Sequence, residues 1–114
     1  MDANEHYNLA KTNIESGKYQ EAIDAYKQAI RINPDYVDAH FNLGSAYFQL
    51  YKYKEAADAY KQVIKIEPDY AKAHHNLGMM YIFQGNKGSA IEEYKILKDL
   101  DNELANKLYN LIYP

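Results

Sequence analysis

Apolar residues fall along this chain at helical spacing, in runs of a dozen or so residues that end at glycine, proline or an amide. Ala22, Ile23, Tyr26, Ala29 and Ile30 share one face of a 3.6-residue period and define a helix stopped by Asn33-Pro34-Asp35, which should also cap the next one. Ahead of it, Asp2 can cap a first helix with Glu5 as its capping-box partner. Leu9 and Ala10 begin the face that turns inward, and Ser16-Gly17 closes that helix, because glycine suits the left-handed residue at a helix end. A third and a fourth helix follow, with His40, Leu43, Gly44 and Tyr47 on one and Ala56 and Tyr60 on the other, up to Pro68. The fifth runs from Asp69 through His74, Leu77, Gly78 and Tyr81 to the turn Gln84-Gly85-Asn86, and the sixth carries Ala90 and Tyr94. Asp101 or Asn102 can cap a last helix. That helix sets Leu104, Leu108, Leu111 and Ile112 against Glu103, Asn106, Lys107 and Asn110.

These marks return every 34 residues: Leu9, Leu43 and Leu77; Ala22, Ala56 and Ala90; Tyr26, Tyr60 and Tyr94; Pro34 and Pro68. Between Asp38 and Pro68 the order is His40-x-x-Leu43-Gly44-x-x-Tyr47, then Ala56-x-x-x-Tyr60, then Pro68. That order resembles the tetratricopeptide repeat, with His in place of Trp and Tyr in place of Phe. The resemblance implies an all-α, right-handed superhelix (an α-solenoid) in one domain: three helix-turn-helix repeats over about 3–36, 37–70 and 71–104, and a capping helix over about 102–112. The polar face of that last helix lets the stack end in water, as a terminal unit must.

Local departures from the pattern carry expectations of their own. Gly44 lies in mid-helix, where it costs roughly 1 kcal/mol relative to Ala, so a packing reason is expected. The resemblance supplies one: this small residue lets the two helices of a repeat approach closely, as Ala10 and Gly78 would in theirs. Leu50-Tyr51-Lys52 stands where the other turns have glycine, and a left-handed tyrosine would be strained, so a different turn or a longer helix is expected there. Gly88 follows its turn closely, and the start of the sixth helix should fray.

Composition narrows the function classes. At 114 residues there is room for one domain, and about three stacked repeats are the usual minimum for a buried core. Net charge is −3, with 13 basic and 16 acidic side chains, the wrong sign for binding nucleic acid through its phosphates. With no cysteine there is no disulfide or thiolate chemistry. The longest apolar run, Met79 to Phe83, is far too short to span a membrane, and the polar start Met1 to Glu5 does not read as a secretory signal. The expectation is a soluble chain, cytoplasmic by default, with neither nucleic acid nor membrane as partner.

Stacked helix pairs curl and present the first helix of each pair along a concave wall. In tetratricopeptide proteins that wall binds extended peptides. Carried over residue by residue, the wall comprises Tyr7, Lys11, Ile14 and Glu15; then Asp38, Phe41, Asn42, Ser45, Phe48 and Gln49; then Lys72, His75, Asn76, Met79, Ile82 and Phe83. Phe41 and Phe48 also stand where aromatic residues pack under neighbouring helices. Met79, Ile82 and Phe83 are more apolar than their counterparts, which places the expected centre of the groove on Phe41, Phe48, Met79, Ile82 and Phe83. Only part of the family's carboxylate clamp for the Glu-Glu-Val-Asp tail of heat-shock chaperones is present. Asn42 and Lys72 match, but Tyr7 replaces a Lys, Lys11 an Asn, and Asn76 a cation, which leaves a terminal Asp poorly paired.

Catalytic and metal chemistry find no support in the residues. His6, His40 and His74 recur with the repeat, and His75 adjoins the last. They stand where the family places Trp, so they should pack inside their own repeats, and no fourth ligand completes a zinc site. Gly85-Asn86-Lys87-Gly88 has the form of a nucleic-acid clamp loop but lacks the sheet such a loop needs. Ser16, Ser45 and Ser89 have no recognisable base, and Glu92 and Glu93 point apart as helix neighbours. The expectation is a non-catalytic interaction module that takes a peptide or partner protein and uses no cofactor. The alternative is self-association into a homo-oligomer through the groove or through an apolar end formed by Tyr109, Ile112 and Tyr113.

Overall fold

A computed structural model describes residues 1–114. It contains helices α1 (Ala3–Glu15), α2 (Tyr19–Ile32), α3 (Val37–Gln49), α4 (Tyr53–Ile66), α5 (Ala71–Phe83), α6 (Lys87–Leu100) and α7 (Asn102–Ile112), and no strand. Each helix packs on the next, and α7 also folds back onto α5, in a body 44 × 25 × 20 Å across. No helix is long and apolar enough to cross a membrane.

Local chemistry sets the helix ends. Asp2 and Glu5 form the capping box, with the Asp2 carboxylate accepting from the Glu5 N–H at 2.8 Å and the Glu5 carboxylate accepting from the Asp2 N–H at 3.0 Å. Asp101 caps α7 by accepting from the Leu104 N–H. Asn86 caps α6 by accepting from the Ser89 N–H, which holds the helix start that Gly88 would otherwise loosen. Asp35 and Asp69, by contrast, cap nothing. The cap positions of α3 and α5 are Tyr36 and Tyr70, without a side-chain bond, and the linkers are held by histidine instead. His40 Nε2 donates to the Pro34 carbonyl at 2.8 Å and His74 Nε2 to the Pro68 carbonyl at 2.7 Å. Thus the histidine at the family's Trp position ties the repeat to the proline loop before it.

All three turns inside the helix pairs share one geometry. Gly17, Tyr51 and Gly85 have φ of 74°, 60° and 76°. The N–H of each donates three residues back, to Ile14, Phe48 and Ile82, and the next N–H reaches five back, to Asn13, Tyr47 and Tyr81. The chain therefore adopts neither the altered turn nor the longer helix expected at Tyr51. It holds a tyrosine in the left-handed conformation.

Packing within and between pairs rests on small residues facing rings. Ala10, Ala22, Ala29, Ala39, Ala46, Ala56, Ala73 and Ala90 are fully buried, and Tyr26 and Tyr60 are the largest side chains sealed inside. A Cβ on Gly44 would lie 2.8 Å from the Tyr60 ring of α4, so glycine is needed for this ring to seat. Gly78 serves a different neighbour. Its missing side chain makes room for Leu108 of α7, which would lie 2.6 Å from a Cβ there, and Tyr94 of α6 is left half-buried against Tyr109. Leu43 and Leu77 bury against the preceding pair, but Leu9 has no such pair and stays 45% exposed. On α7, Ala105, Leu108 and Ile112 face inward with Leu104 beside them, whereas Leu111 points outward. Lys27 over Tyr47 and Lys61 over Tyr81, both at 5.7 Å, add a tie between successive pairs worth about 0.5–1 kcal/mol each.

Gly44→Ala tests the ring seat. Helix propensity alone would raise stability by about 1 kcal/mol, but overpacking against Tyr60 costs typically about 1–3 kcal/mol. Urea unfolding should show a net loss of about 1 kcal/mol, and a gain would mean that the ring has room to move.

Candidate functional site

The helices α1, α3 and α5 lie side by side as the first members of successive pairs, and between α1 and α3 the wall opens into a hollow of about 330 Å³. Lys11, Ile14 and Glu15 of α1 face Asn42, Ser45, Ala46 and Gln49 of α3, and Tyr19 and Tyr26 of α2 close the floor. The polar groups here are held by a small network. The Asn42 amide donates to the Tyr7 hydroxyl at 2.8 Å, and the Ser45 hydroxyl lies 3.1 Å from that of Tyr60. The Lys11 ammonium sits 5.6 Å from the centre of the Tyr7 ring. One cation, one carboxylate, two amides and a hydroxyl thus edge an apolar floor, a lining suited to an extended chain with mixed side chains.

The other candidate residues from the sequence divide into separate groups. Phe41 is half-buried, stacked on Tyr70 at 5.4 Å and edge-on to Tyr60 at 5.5 Å; Tyr7 repeats that arrangement against Tyr36 at 5.0 Å. Phe48 and Phe83 stack at 5.8 Å, and Tyr53 joins them. Met79 packs against the α4 cluster, whereas Ile82 packs against the cluster of α6 and α7. Lys72 borders a second hollow with Tyr70, Ala71, Asp101, Glu103 and Leu104. His75 Nδ1 lies 3.3 Å from the Asn76 side-chain oxygen, and its Nε2 is buried without a partner. Lys11, Ile14, Glu15, Asn42, Ser45 and Gln49 are therefore the predicted residues that share one hollow. Of the five aromatic and aliphatic side chains expected at the centre, only Phe83 is exposed, at 51%.

Sequence reasoning passed over Tyr19, Tyr26 and Ala46 on the hollow, and Tyr36, Tyr53 and Tyr70 in the stacks. The signal was present: Tyr19 and Tyr53, like Tyr36 and Tyr70, recur at the repeat spacing. His40 and His74 are used internally. His74 is 4% exposed, with Nδ1 2.7 Å from Glu93 and Nε2 on the Pro68 carbonyl, and no three His, Asp or Glu side chains converge as metal ligands would.

Matches to family models cover most of the chain: a TPR repeat model over residues 10–50 and again over 44–85, and a tetratricopeptide repeat model over 71–103. The chain belongs to the tetratricopeptide repeat family. Its helix pairs and closing helix are the α-solenoid of that family. Among solved structures, MamA is 30% identical with a TM-score of 0.85, covering 92% of this chain and 61% of its own. This tetratricopeptide chain thus spans about three-fifths of the length of that protein. The first TPR of Spaghetti (RPAP3), solved bound to the HSP90 peptide SRMEEVD, is 25% identical with a TM-score of 0.87, covering 96% of this chain and 90% of that one. The second TPR domain of human RPAP3, solved with the HSP70 peptide SGPTIEEVD, shares the fold at 24% identity and a TM-score of 0.90, with coverage of 98% and 95%. No match was found among curated proteins.

Buried tyrosines give the wall an alkaline limit. Burial, with a contribution from neighbouring Tyr7, pushes Tyr26 up to about 12, and burial likewise raises Tyr7, Tyr36, Tyr60 and Tyr70 above the usual phenol value. Each favours the fold fully below about pH 10, where the unfolded phenol is still neutral, and loses that contribution as pH rises through its own raised value, which for Tyr26 is about 12. Circular dichroism should therefore show unfolding in that window, coincident with late tyrosinate absorbance, and Tyr26→Phe should move the midpoint upward. Ionisation of every tyrosine near pH 10 with the helices intact would contradict this.

Proposed function

We propose that this chain is a non-catalytic interaction module that receives an extended peptide from a partner protein along the α1–α3–α5 wall. The observation that carries the reading is the hollow edged by Lys11, Asn42, Ser45 and Gln49 over a Tyr26 floor. Tyr7, Phe41, Asn76, His75, Met79 and Ile82 line or back the same wall, Phe48 and Phe83 extend it towards the turns, and Lys72 stands at its far end. The likeness to a tetratricopeptide domain solved with a bound peptide supports the mode of binding. The cations argue for a different peptide, because Lys11 shares its hollow with Glu15, and Lys72 borders Asp101 and Glu103. A segment of mixed polarity is better matched than an acidic carboxyl terminus.

Two buried ligand side chains would supply about 3–6 kcal/mol, and ordering the peptide takes back about 2–5 kcal/mol. A micromolar Kd, about −8 kcal/mol, therefore requires most of its free energy to come from backbone bonds to Asn42 and Asn76. Peptide-array binding should fall about tenfold in Asn42→Ala, a loss of about 1.4 kcal/mol, while the lost bond to Tyr7 should cost the fold only about 0.5–1.5 kcal/mol and leave it helical at the assay temperature. Equal binding by wild type and variant would remove the hollow from the site.

A second reading is favoured by one feature of α7. Tyr109, Leu111 and Tyr113 are exposed together, with the two tyrosine rings 5.0 Å apart, while Ile112 has turned inward and is sealed. Such an end can stack on a second copy. Sedimentation decides it: a mass that grows with concentration supports assembly, and a constant monomer mass excludes it.

A further inference from the structure

The turn between α3 and α4 holds a residue that the backbone disfavours. Tyr51 occupies a left-handed position, φ 60°, that glycine fills at the two equivalent turns. An added Cβ meets nothing within 4 Å at Gly17 or Gly85, so these turns have space for a side chain and only the backbone objects. Nor does the tyrosine repay the strain by burial: it is 78% exposed and meets Tyr53 edge-on at 6.5 Å. Strain kept without a packing reason marks a place that serves something outside the fold.

Tyr51 stands at the edge of a continuous cluster of rings, joined to it through Tyr53, which also meets Phe48 at 6.1 Å. Tyr53 stacks on Phe83 at 5.1 Å and 19°, and Phe83 on Phe48 at 5.8 Å and 30°. None of the cation–π contacts in the chain reaches these four rings. We propose that Tyr51, Tyr53, Phe83 and Phe48 form a docking edge for a proline-rich segment of a partner protein.

Area decides against larger occupants. Aromatic side chains bury about 150–250 Å² when fully covered, so four partly exposed rings offer at most about 400 Å². A stable interface takes about 800 Å² from each partner, which excludes a second copy or a folded domain held by this edge alone. So small a contact leaves little free energy for ordering the ligand, and the ligand must arrive already extended. Polyproline segments meet that condition, and their pyrrolidine rings dock on uncharged aromatic faces. Prolines three residues apart project on one side about 9 Å from each other. Tyr51 and Phe83 lie 6.5 and 5.1 Å from the Tyr53 ring between them, a patch of a size that one such pair can cover.

The inference rests on reading the chain as a peptide binder and shares Phe48 and Phe83 with the wall, but Tyr51 lies outside the hollow. The probe is a ten-residue oligoproline, titrated by calorimetry into wild type, Tyr51→Gly and Tyr51→Phe. Wild type and Tyr51→Phe should bind saturably and alike. Tyr51→Gly should melt about 3–6 °C higher because the strain is gone, yet bind at least fivefold more weakly. A more stable variant that binds less well cannot be explained by damage to the fold. Absence of saturable binding by wild type, or equal binding by Tyr51→Gly, overturns the docking edge. The hollow is judged separately by Asn42→Ala on peptide arrays, so either site can fail while the other stands.

Discussion

Everything in this structure depends on how closely the two helices of a pair can approach, and that distance is set where a side chain is missing. Gly44 leaves the space into which the Tyr60 ring descends, and the first pair has the next smallest residue, Ala10, at the corresponding place. With the ring seated, alanines such as Ala39, Ala46, Ala56 and Ala59 bring neighbouring backbones together, and Leu43 and Leu77 bury against the pair before. The same offset from pair to pair lays α1, α3 and α5 side by side as one wall. The third pair shows the rule by its exception: at Gly78 the space is filled by Leu108 of α7, and Tyr94 moves outward. The capping helix is thus wedged into the stack and does more than cover its end.

Most of the fold was legible because a 34-residue period repeats the identity of core residues, and period 3.6 assigns their faces. What escaped depends on neighbours the period does not reveal. Leu9 carries the same sign as Leu43 and Leu77 but has no preceding pair, so it is exposed. Leu111 belongs to the apolar stripe of α7 on paper, but α7 starts a few residues early relative to α3 and α5, and Ala105 takes the inward place. At Tyr51 steric preference predicted the wrong turn. The paired hydrogen bonds to Phe48 and Tyr47 impose the left-handed residue whether or not glycine supplies it.

The candidate site was legible in outline only. Lys11, Asn42 and Ser45 could be placed on the wall from the register, but the register does not say where the wall is open. Rings decide that. Between α3 and α5, Phe41 stacks on Tyr70, and Phe48 on Phe83, so the expected centre is largely filled by its own aromatics. Between α1 and α3 the corresponding Tyr7 and Tyr36 stack to one side, and the hollow remains over Tyr26. The hollow is therefore a consequence of packing: rings that fill the gap between α3 and α5 leave the one between α1 and α3 available.

A double-mutant cycle on Gly44→Ala and Tyr60→Leu tests this account most directly, because it isolates the contact from which the wall is built. If the ring seat governs the approach of the helices, the smaller leucine side chain in place of Tyr60 should tolerate the added methyl. The combined loss should then be at least about 1 kcal/mol smaller than the sum of the single losses. Additive losses would show that the helices find their distance some other way, and would contradict the account.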